Sequence, residues 1–321
     1  MRREFKLNVN FILVAVSSFF VSLIITPFFT QLGKKQNFVD KPGYRKIHTD
    51  DIPNLGGVVI FFGFIMGTIL FIPIQGEIRG LLAGSMIILL LGVVDDIVDL
   101  KPYHKFIIQL IPAFLFIIYQ FGNIHQFIFE QWPSLKIITY LIYPIVLFWI
   151  VGVTNAINLI DGLDGLACGI SVISLATLFI LGLMVHSFYE PYLLLAIALI
   201  GSMLAFLRYN FFPAQIFLGD SGATFAGYLT ACLGILWVIS TGEIIFIIIP
   251  LVILALPVGD TLFAIWRRYR HRKPIFQADQ GHLHHRLLKR GISHRKVVLI
   301  LYGLNGICCL IALTIVIIYS V

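Results

Sequence analysis

The chain has 321 residues, of which 59% are hydrophobic and only 12% are charged, and its mean hydropathy is +0.96. A soluble domain carries about twice that charged fraction, so the composition excludes an ordinary soluble protein and indicates a membrane protein. The net charge of +7 would suit a nucleic-acid binder, but loop topology explains it better, so we expect no nucleic-acid partner.

Apolar stretches recur along the whole chain and approach the roughly 20 residues that a helix needs to cross a bilayer. They lie at about 8–31, 53–73, 80–97, 107–121, 135–157, 166–186, 191–208, 221–239, 244–266 and 297–319. The sequence therefore predicts an all-α, polytopic integral membrane bundle of about ten transmembrane helices that forms a single domain over 1–321. The longest connection, about 267–296, is expected to be a loop with one short helix.

Acidic residues separate by type between the two sides of this predicted bundle. The 11 aspartates fall in alternate connections or the helix ends beside them, and the five glutamates fall in the other connections or near the N-terminus. Of the 23 lysines and arginines, 18 lie on the aspartate side. Because cytoplasmic loops carry an excess of basic residues, the aspartate side is predicted to be cytoplasmic and both termini external.

The first connection on the aspartate side reads FVDKPGYRKIHTDDIPNLGG, from 38 to 57. Arg45, Lys46 and His48 form a compact cationic group that can hold a phosphate. A simple membrane anchor that obeys the positive-inside rule is the alternative explanation for these charges.

The second connection reads LGVVDDIVDLKP, from 91 to 102. Asp95 and Asp96 stand four and three residues before Asp99, a spacing that places the side chains on one helix face. Carboxylates packed this way repel one another unless a cation or a shared proton intervenes, and the end of a helix makes them less favourable still. The pattern favours a magnesium site or a site of proton abstraction.

The third connection, NAINLIDGLDGLA at 155–167, is rich in oxygen ligands and contains no cysteine or histidine. Oxygen-only ligands select hard cations such as magnesium or manganese, and the glycines expose backbone N–H groups to phosphate oxygens. A turn with Asx caps is the alternative. The residues concerned are Asn155, Asn158, Asp161, Gly162, Asp164 and Gly165.

The fourth connection runs from Arg208 to a Gly-Asp-Ser-Gly turn that contains Asp220 at a predicted helix start. A carboxylate at that position caps the helix and suits its dipole, which is the ordinary explanation for it. Beside the other acidic loops, Asp220 also becomes a candidate metal ligand.

The fifth connection contains DQGHLHHRLLKRGIS in a strongly basic segment. Imidazole and guanidinium groups of this kind suit a nucleotide's phosphate, ribose or base better than they suit zinc. Its candidate binding residues are His282, His284, His285 and Arg286. Asp260 lies about two turns inside the preceding helix, where it is either functional or paired with a basic residue near the helix end.

Acidic clusters that bind hard cations and basic clusters that bind phosphates are thus predicted to meet on one rim of the bundle. Such a combination indicates metal-assisted phosphoryl transfer at a membrane surface, with a lipid as one reactant. The motifs KPGYRKIHTDDIPNLGG, DDIVD, NAINLIDGLDGLA, PAQIFLGDSG and HLHHRL occur in this order. Over nearly the whole chain they resemble the polyprenyl-phosphate N-acetylhexosamine-1-phosphate transferases.

The resemblance implies transfer of a sugar-1-phosphate from a UDP-sugar to undecaprenyl phosphate, with release of UMP and with Mg²⁺, or alternatively Mn²⁺, as the cofactor. It implies that Asp220 ligates the metal with Asn158 as a second ligand. It also implies that Asp95 and Asp96 position the metal or deprotonate the lipid phosphate. The further carboxylates expected to support the nucleotide or the metal are Asp161 and Asp164.

The same resemblance implies a nucleotide-sugar pocket that is built mainly from the fifth connection. Residues expected to bind substrate are Lys46, His48, Asn155, Arg208, His282, His284, His285 and Arg286. In the family branch that uses UDP-MurNAc-pentapeptide, a lysine typically stands at the position of Asp99 and three histidines are consecutive. Here Leu283 separates the histidines, which favours UDP-GlcNAc and a plasma-membrane enzyme that initiates a teichoic acid linkage unit, an O-antigen or a similar envelope glycan.

Three alternatives remain at this stage. The same chemistry on UDP-MurNAc-pentapeptide is one of them. A transporter of an anionic solute would place ionisable groups near the bilayer midplane, and an intramembrane aspartyl protease would need two facing aspartates within it. The sequence leaves open the oligomeric state, for which a homodimer is one option, the identity of the general base, and whether attack is direct or proceeds through a covalent intermediate.

Overall fold

The computed structural model describes residues 9–40, 51–131, 136–185, 188–272, 274 and 281–319, with the side chains of 136–139 left out. Helices dominate these residues, beside one short antiparallel pairing of β1 (Val39–Asp40) with β2 (Ile52–Pro53). The α-helices are α1 (Val9–Lys35), α2 (Gly56–Phe71), α3 (Gly76–Val98), α4 (Pro102–Tyr119), α5 (Phe121–Gln131), α6 (Lys136–Ile160), α7 (Leu166–Met184), α8 (Glu190–Asn210), α9 (Gly219–Thr241), α10 (Ile248–Ile253), α11 (Ala255–Arg270), α12 (Leu283–Lys289) and α13 (His294–Tyr319).

The predicted all-α membrane bundle is confirmed. Within the described ranges, eight helices are long and apolar enough to cross a bilayer, and the bent pair 244–253 and 255–270 makes nine if it is counted as one span. The remaining predicted span corresponds to α2, which has 16 residues. The short helix expected in the longest connection is α12, whereas α5 lies in a connection where no helix was predicted.

Helix α4 begins at Pro102, about five residues before the span predicted there. Proline suits the first turn of a helix because its missing N–H has no partner in that turn in any case. Hydropathy alone misses this turn, since it also contains His104 and Lys105. The extension matters because it makes Lys105 a helical residue beside the aspartates of α3.

Two helical segments near the C-terminal part of the chain, 244–253 and 255–270, meet at a bend of 80°. Pro257 lacks the N–H that would bond to the carbonyl of Ile253, which weakens the helix at this point and favours the bend. After the bend, α11 packs against α6 and α13. The bend thereby aims the polar residues of α11 at the site described below.

Helix α9 is the centre of the bundle, since 89% of the residues in its most apolar stretch are buried. The corresponding share is only 28% in α1, α4 and α13, which form the periphery. Hydroxyl groups connect further helices: the Oγ atoms of Ser22 and Ser202 are 2.7 Å apart, and Ser202 Oγ donates to Ile60 O over 2.7 Å. Buried apolar residues of nearly all helices form one continuous core.

Among the described residues, the aspartates and the glutamates lie at opposite ends of the bundle. Glu77 opens α3, whose other end has Asp95 and Asp96, and it accepts a hydrogen bond from Asn123 of α5. Gln131, at the end of α5, donates to the carbonyl of Gly242 beside Glu243. Helices α1 and α13 begin and end, respectively, at this glutamate end.

Glycines let the first turn of α9 sit directly on α2 and α3. A Cβ atom on Gly92 would lie 2.2 Å from the Cα of Ser221, and one on Gly57 would lie 2.3 Å from the backbone N of Gly222. Real Cβ atoms do not approach backbone so closely, so only glycine permits this approach. The contacts fix the position of Asp220, which precedes Ser221.

We expect Gly92→Ala to destabilise the protein by about 1–3 kcal/mol, because the new methyl group collides with the backbone of α9. Thermal unfolding of the detergent-purified protein measures this as a lower midpoint. Gly303→Ala is the matched control, since an added Cβ there meets no atom within 4 Å. Equal midpoints for the two variants would contradict the proposed close approach.

Candidate functional site

Three aspartates from two helices meet at one end of the bundle. Asp95 and Asp96 come from the last turns of α3, and Asp220 comes from the first turn of α9. The ammonium group of Lys105 contacts Asp95 Oδ2 and lies 2.9 Å from Asp220 Oδ2. A lysine thus bridges two carboxylates that would otherwise repel each other.

Asp96 holds the start of α9 with both of its oxygens. Its Oδ1 accepts the backbone N–H of Asp220 over 2.8 Å, and its Oδ2 accepts the N–H of Ser221 over 3.1 Å. Asn54 Nδ2 donates to the same Oδ1 over 2.8 Å. Two of the free N–H groups of the helix start are therefore satisfied by a carboxylate from α3, and not by the side chain of Asp220 as a simple helix cap would require.

The Asp220 side chain is left for other contacts. Its Oδ1 accepts a hydrogen bond from Asn158 Nδ2 over 2.9 Å, while Oδ2 faces Lys105. Its side chain is 36% exposed, compared with 4% for Asp95. Asp220 is therefore the more accessible of these two carboxylates, and the predicted ligand pair of Asp220 and Asn158 is in direct contact.

Asp99 does not share a helix face with Asp95 and Asp96, so that prediction was wrong. Helix α3 ends at Val98, and Asp99 follows in a left-handed conformation with φ of 52° and an exposed side chain. The chain turns here because Leu100 N–H donates to Asp95 Oδ1 over 2.8 Å. The third carboxylate of the cluster is Asp220, which is 124 residues or more from the other two along the chain.

The third connection lies beside this cluster. Asp161 follows the end of α6, where burial, together with the nearby charges of Asp220 and Asp96, raises the pKa of its carboxyl group well above the usual value. Asp164 Oδ2 accepts the backbone N–H of Ala214 over 3.0 Å, so its carboxylate helps to hold the fourth connection. Asp161 is thus close to Asp220, and Asp164 is bonded to the segment that leads to Asp220.

In the part of the chain that the structure describes, no contact joins the predicted site residues Asn155 and Arg208 to the aspartates. Asn155 Nδ2 donates to Gln109 Oε1 over 2.5 Å and to Val151 O over 2.7 Å, inside the bundle. Arg208 is exposed in the last turn of α8. Lys46 and His48 lie outside the described residues.

The histidines of the fifth connection reach the third connection. His284 is only 2% exposed, and a Cβ atom on Gly162 would lie 2.2 Å from its Nε2. Burial, with His285 and His282 nearby, lowers the pKa of His284 to about 3, so this imidazole is neutral at physiological pH. The neighbouring ring of His285 has its centroid 4.1 Å from that of His284.

Polar partners from α11 hold the start of this histidine motif. His282 Nδ1 lies 2.8 Å from Asp260 Oδ2, and Arg267 Nη1 donates to Gly281 O over 2.9 Å. Arg286 is exposed, and its guanidinium carbon lies 5.8 Å from the centroid of the Phe263 ring. Asp260, for which the sequence left two roles open, is thus paired with a histidine.

Three residues at the site were not predicted from the sequence. Lys105 was counted only as a loop charge, although the adjacent aspartate pair requires a compensating cation. Asn54 bonds to Asp96, and His294 Nε2 accepts the backbone N–H of Asp164 over 3.0 Å. No local pattern marks Asn54 or His294, because each meets its partner only through tertiary packing.

Comparison with known proteins gives concordant matches. The family model described as glycosyl transferase family 4 matches residues 78–238, which include all three clustered aspartates. A probable undecaprenyl-phosphate N-acetylglucosaminyl 1-phosphate transferase of Bacillus subtilis strain 168 is 38% identical over 92% of this chain and 82% of its own length.

More distant relatives have related names. A decaprenyl-phosphate N-acetylglucosaminephosphotransferase of Mycobacterium leprae is 29% identical over 92% of this chain and 81% of its own length. A phospho-N-acetylmuramoyl-pentapeptide-transferase of Listeria monocytogenes is 28% identical over 94% of this chain and 98% of its own length. Since the relative from Bacillus subtilis aligns along most of both chains, and the family model covers half of this one, the chain belongs to glycosyl transferase family 4.

Proposed function

We propose that this membrane protein transfers N-acetylglucosamine-1-phosphate from UDP-GlcNAc to undecaprenyl phosphate and releases UMP. The observation that carries the proposal is the meeting of Asp95, Asp96 and Asp220 at one end of an apolar helix bundle, where Lys105 contacts Asp95 and Asp220. A cluster with both charges at a bilayer surface suits two phosphorylated substrates, one of which is a lipid. The names of the relatives with the highest identities among those cited agree with this reaction.

The plasma membrane is the proposed location, with the aspartate end in the cytoplasm and both chain termini outside. The excess of lysine and arginine in the connections at the aspartate end supports this orientation. UDP-sugars are cytoplasmic metabolites, so the orientation also gives the donor access to the site. The product would begin an envelope glycan such as a teichoic acid linkage unit or an O-antigen.

Magnesium is the proposed cofactor, with manganese as the alternative, and the residues present fit it. Asp220 offers accessible carboxylate oxygens, and a rotated Asn158 amide would add an oxygen beside them. Such oxygen ligands suit hard cations. Among the described residues, no group of three or more His, Cys, Asp or Glu side chains could hold a metal. Magnesium takes one or two carboxylates together with water and substrate phosphates, so one carboxylate and one amide oxygen would suffice to hold it.

Residues of the cluster have distinct proposed tasks. Asp96 keeps the start of α9 in place and so fixes where Asp220 stands. Asp220 and Asn158 would hold the metal ion, which when bound neutralises charge that develops on the diphosphate. Lys105 would contact a phosphate oxygen of a bound substrate through its ammonium group.

In the proposed reaction, an oxygen of the lipid phosphate attacks the sugar-linked phosphorus of UDP-GlcNAc. The bond from that phosphorus to the oxygen bridging the two phosphates breaks, and the bridging oxygen leaves with UMP. Asp95 and Asp96 are the sequence-based candidates for removing a proton from the lipid phosphate. Asp96 accepts three N–H groups, and Asp95 accepts the N–H of Leu100 and contacts Lys105, so both remain candidates for this proton transfer.

The other donor considered is UDP-MurNAc-pentapeptide, which the relative from Listeria monocytogenes favours by its name alone. UDP-GlcNAc is preferred here because the relatives named for N-acetylglucosamine have the higher identities among those cited. The absence of three consecutive histidines in HLHHRL points the same way.

The purified protein, incubated with radiolabelled UDP-GlcNAc, undecaprenyl phosphate and magnesium, is expected to produce a lipid-extractable labelled product. EDTA should abolish the product, because the diphosphate charge is then no longer neutralised by a metal. Labelled UDP-MurNAc-pentapeptide serves as the competing donor. Label that stays in the aqueous phase with both donors would refute the proposed transfer.

Asp220→Asn and Asp95→Asn should each abolish this transfer while the protein still inserts into membranes. Both substitutions preserve side-chain size and remove one negative charge from the cluster. Asp99→Asn is the matched control, since it removes a charge from the same end of α3 outside the cluster. Wild-type turnover in either cluster variant would disprove the task assigned to that residue.

Lys105→Gln should lower the thermal unfolding midpoint of the metal-free protein, because Asp95 and Asp220 then lose their shared counter-charge. Magnesium should raise the midpoint more in this variant than in the wild type, since the cation no longer competes with the ammonium group. Lys101→Gln is the control, as Lys101 is exposed and precedes α4. An identical magnesium response in all three proteins would show that Lys105 and the metal do not share this site.

A further inference from the structure

One face of α11 holds the histidine motif at three points. Asp260, Phe263 and Arg267 are spaced three and four residues apart and so lie on the same side of the helix. Asp260 contacts His282 and Arg267 bonds to Gly281, while the ring of Phe263 lies beneath the guanidinium groups of Arg267 and Arg286. These contacts hold the histidine motif against α11, although the motif lies outside that helix in the sequence.

Asp260 uses its two oxygens for two different tasks. Oδ1 accepts the backbone N–H of Leu283 over 2.9 Å, which fixes the first residue of α12. Oδ2 lies 2.8 Å from His282 Nδ1. The side chains of Asp260 and His282 are only 9% and 5% exposed, so water competes little for either contact.

The second contact determines which ring nitrogen of His282 has the hydrogen. An ionised carboxylate only accepts hydrogen bonds, so Nδ1 must be the donor and a neutral ring keeps its lone pair on Nε2. Stacking also fixes the plane of the ring, since it lies parallel to His284 at a centroid distance of 5.9 Å and an angle of 7°. Both nitrogens of His284 are buried without a hydrogen-bond partner among the described residues.

We propose that Asp260 is a positioning residue that fixes His282 as the Nδ1–H tautomer and thereby presents Nε2 to the nucleotide sugar as a hydrogen-bond acceptor. Nε2 would accept a hydrogen bond from a hydroxyl or an N–H group of the nucleotide sugar, since its lone pair would repel a phosphate oxygen. This inference rests on the proposed function for the identity of the ligand. The assignment of the His282 tautomer rests only on the contact between Asp260 and His282.

A purely structural role for Asp260 would consist of the contact to Leu283 alone. Asp260→Asn separates the two tasks, because the amide oxygen can still accept the N–H of Leu283. The amide nitrogen of the same side chain then faces His282 as a donor. Nδ1 must now accept, and the ring hydrogen moves to Nε2, so the substitution preserves the helix contact and reverses the tautomer.

The first measurement is ¹⁵N NMR of histidine-labelled, full-length protein in detergent micelles at a pH where His282 is neutral. The signal of His282 is identified as the one lost in His282→Gln. The wild type is expected to show hydrogen on Nδ1, and Asp260→Asn is expected to show hydrogen on Nε2. Hydrogen on Nε2 in the wild type, or no difference between the two proteins, would overturn the proposal.

The second measurement is steady-state transfer with each substrate varied in turn. In Asp260→Asn, Nε2 becomes a donor facing a donor of the nucleotide sugar, and an unmatched buried hydrogen bond costs about tenfold or more in affinity, so KM for UDP-GlcNAc should rise by roughly that factor. KM for undecaprenyl phosphate should not change. Glu130→Gln is the control, since this exposed carboxylate at the glutamate end bonds only to Gln126 among the described residues.

The outcomes separate this inference from the proposed function. A reversed tautomer with an unchanged KM for UDP-GlcNAc would refute the role of Nε2, even though transfer itself is confirmed. A wild-type protein without transferase activity would refute the proposed function, and the NMR comparison would still decide whether Asp260 sets the tautomer.

Discussion

Neutralisation of clustered carboxylates is the constraint on which the functional end of this bundle depends. Asp95 and Asp220 approach each other through Lys105, and Asp96 is stabilised by backbone N–H groups at the start of α9 and by Asn54. Each of these partners comes from a different part of the chain. The same contacts that make the acidic site tolerable therefore also join α3, α4 and α9 at this end.

A second polar group, the histidine motif, meets the third connection next to the acidic cluster. The break before α11 turns that helix so that Asp260 and Arg267 reach the histidine motif, and His284 then packs against Gly162. Gly162 follows Asp161, whose carboxyl group is close enough to Asp220 to be affected by its charge. The third connection is thus the link between the acidic cluster and the histidines, which is the arrangement on which the proposal of one shared site is based.

Some parts of this arrangement could be predicted from local patterns and others could not. Each transmembrane segment satisfies its own backbone hydrogen bonds, so long apolar runs predict the spans reliably. The density of oxygen ligands in NAINLIDGLDGLA likewise indicates Asn158 and Asp161 without knowledge of their neighbours. Helical spacing was misleading for Asp99, because the helix ends one residue before it and the left-handed turn directs it elsewhere.

By itself, the sequence determined the class of fold, the segregation of aspartates from glutamates and the chemical types gathered at each connection. These properties depend on composition and on short-range spacing, and both are present in the linear chain. Only the tertiary structure decided that Lys105 bridges Asp95 and Asp220, that Asp96 holds the first turn of α9, and that Asp260 binds His282. Those contacts follow from how the helices pack and bend, and the partner of a buried charge is set by which helix end lies beside it in space.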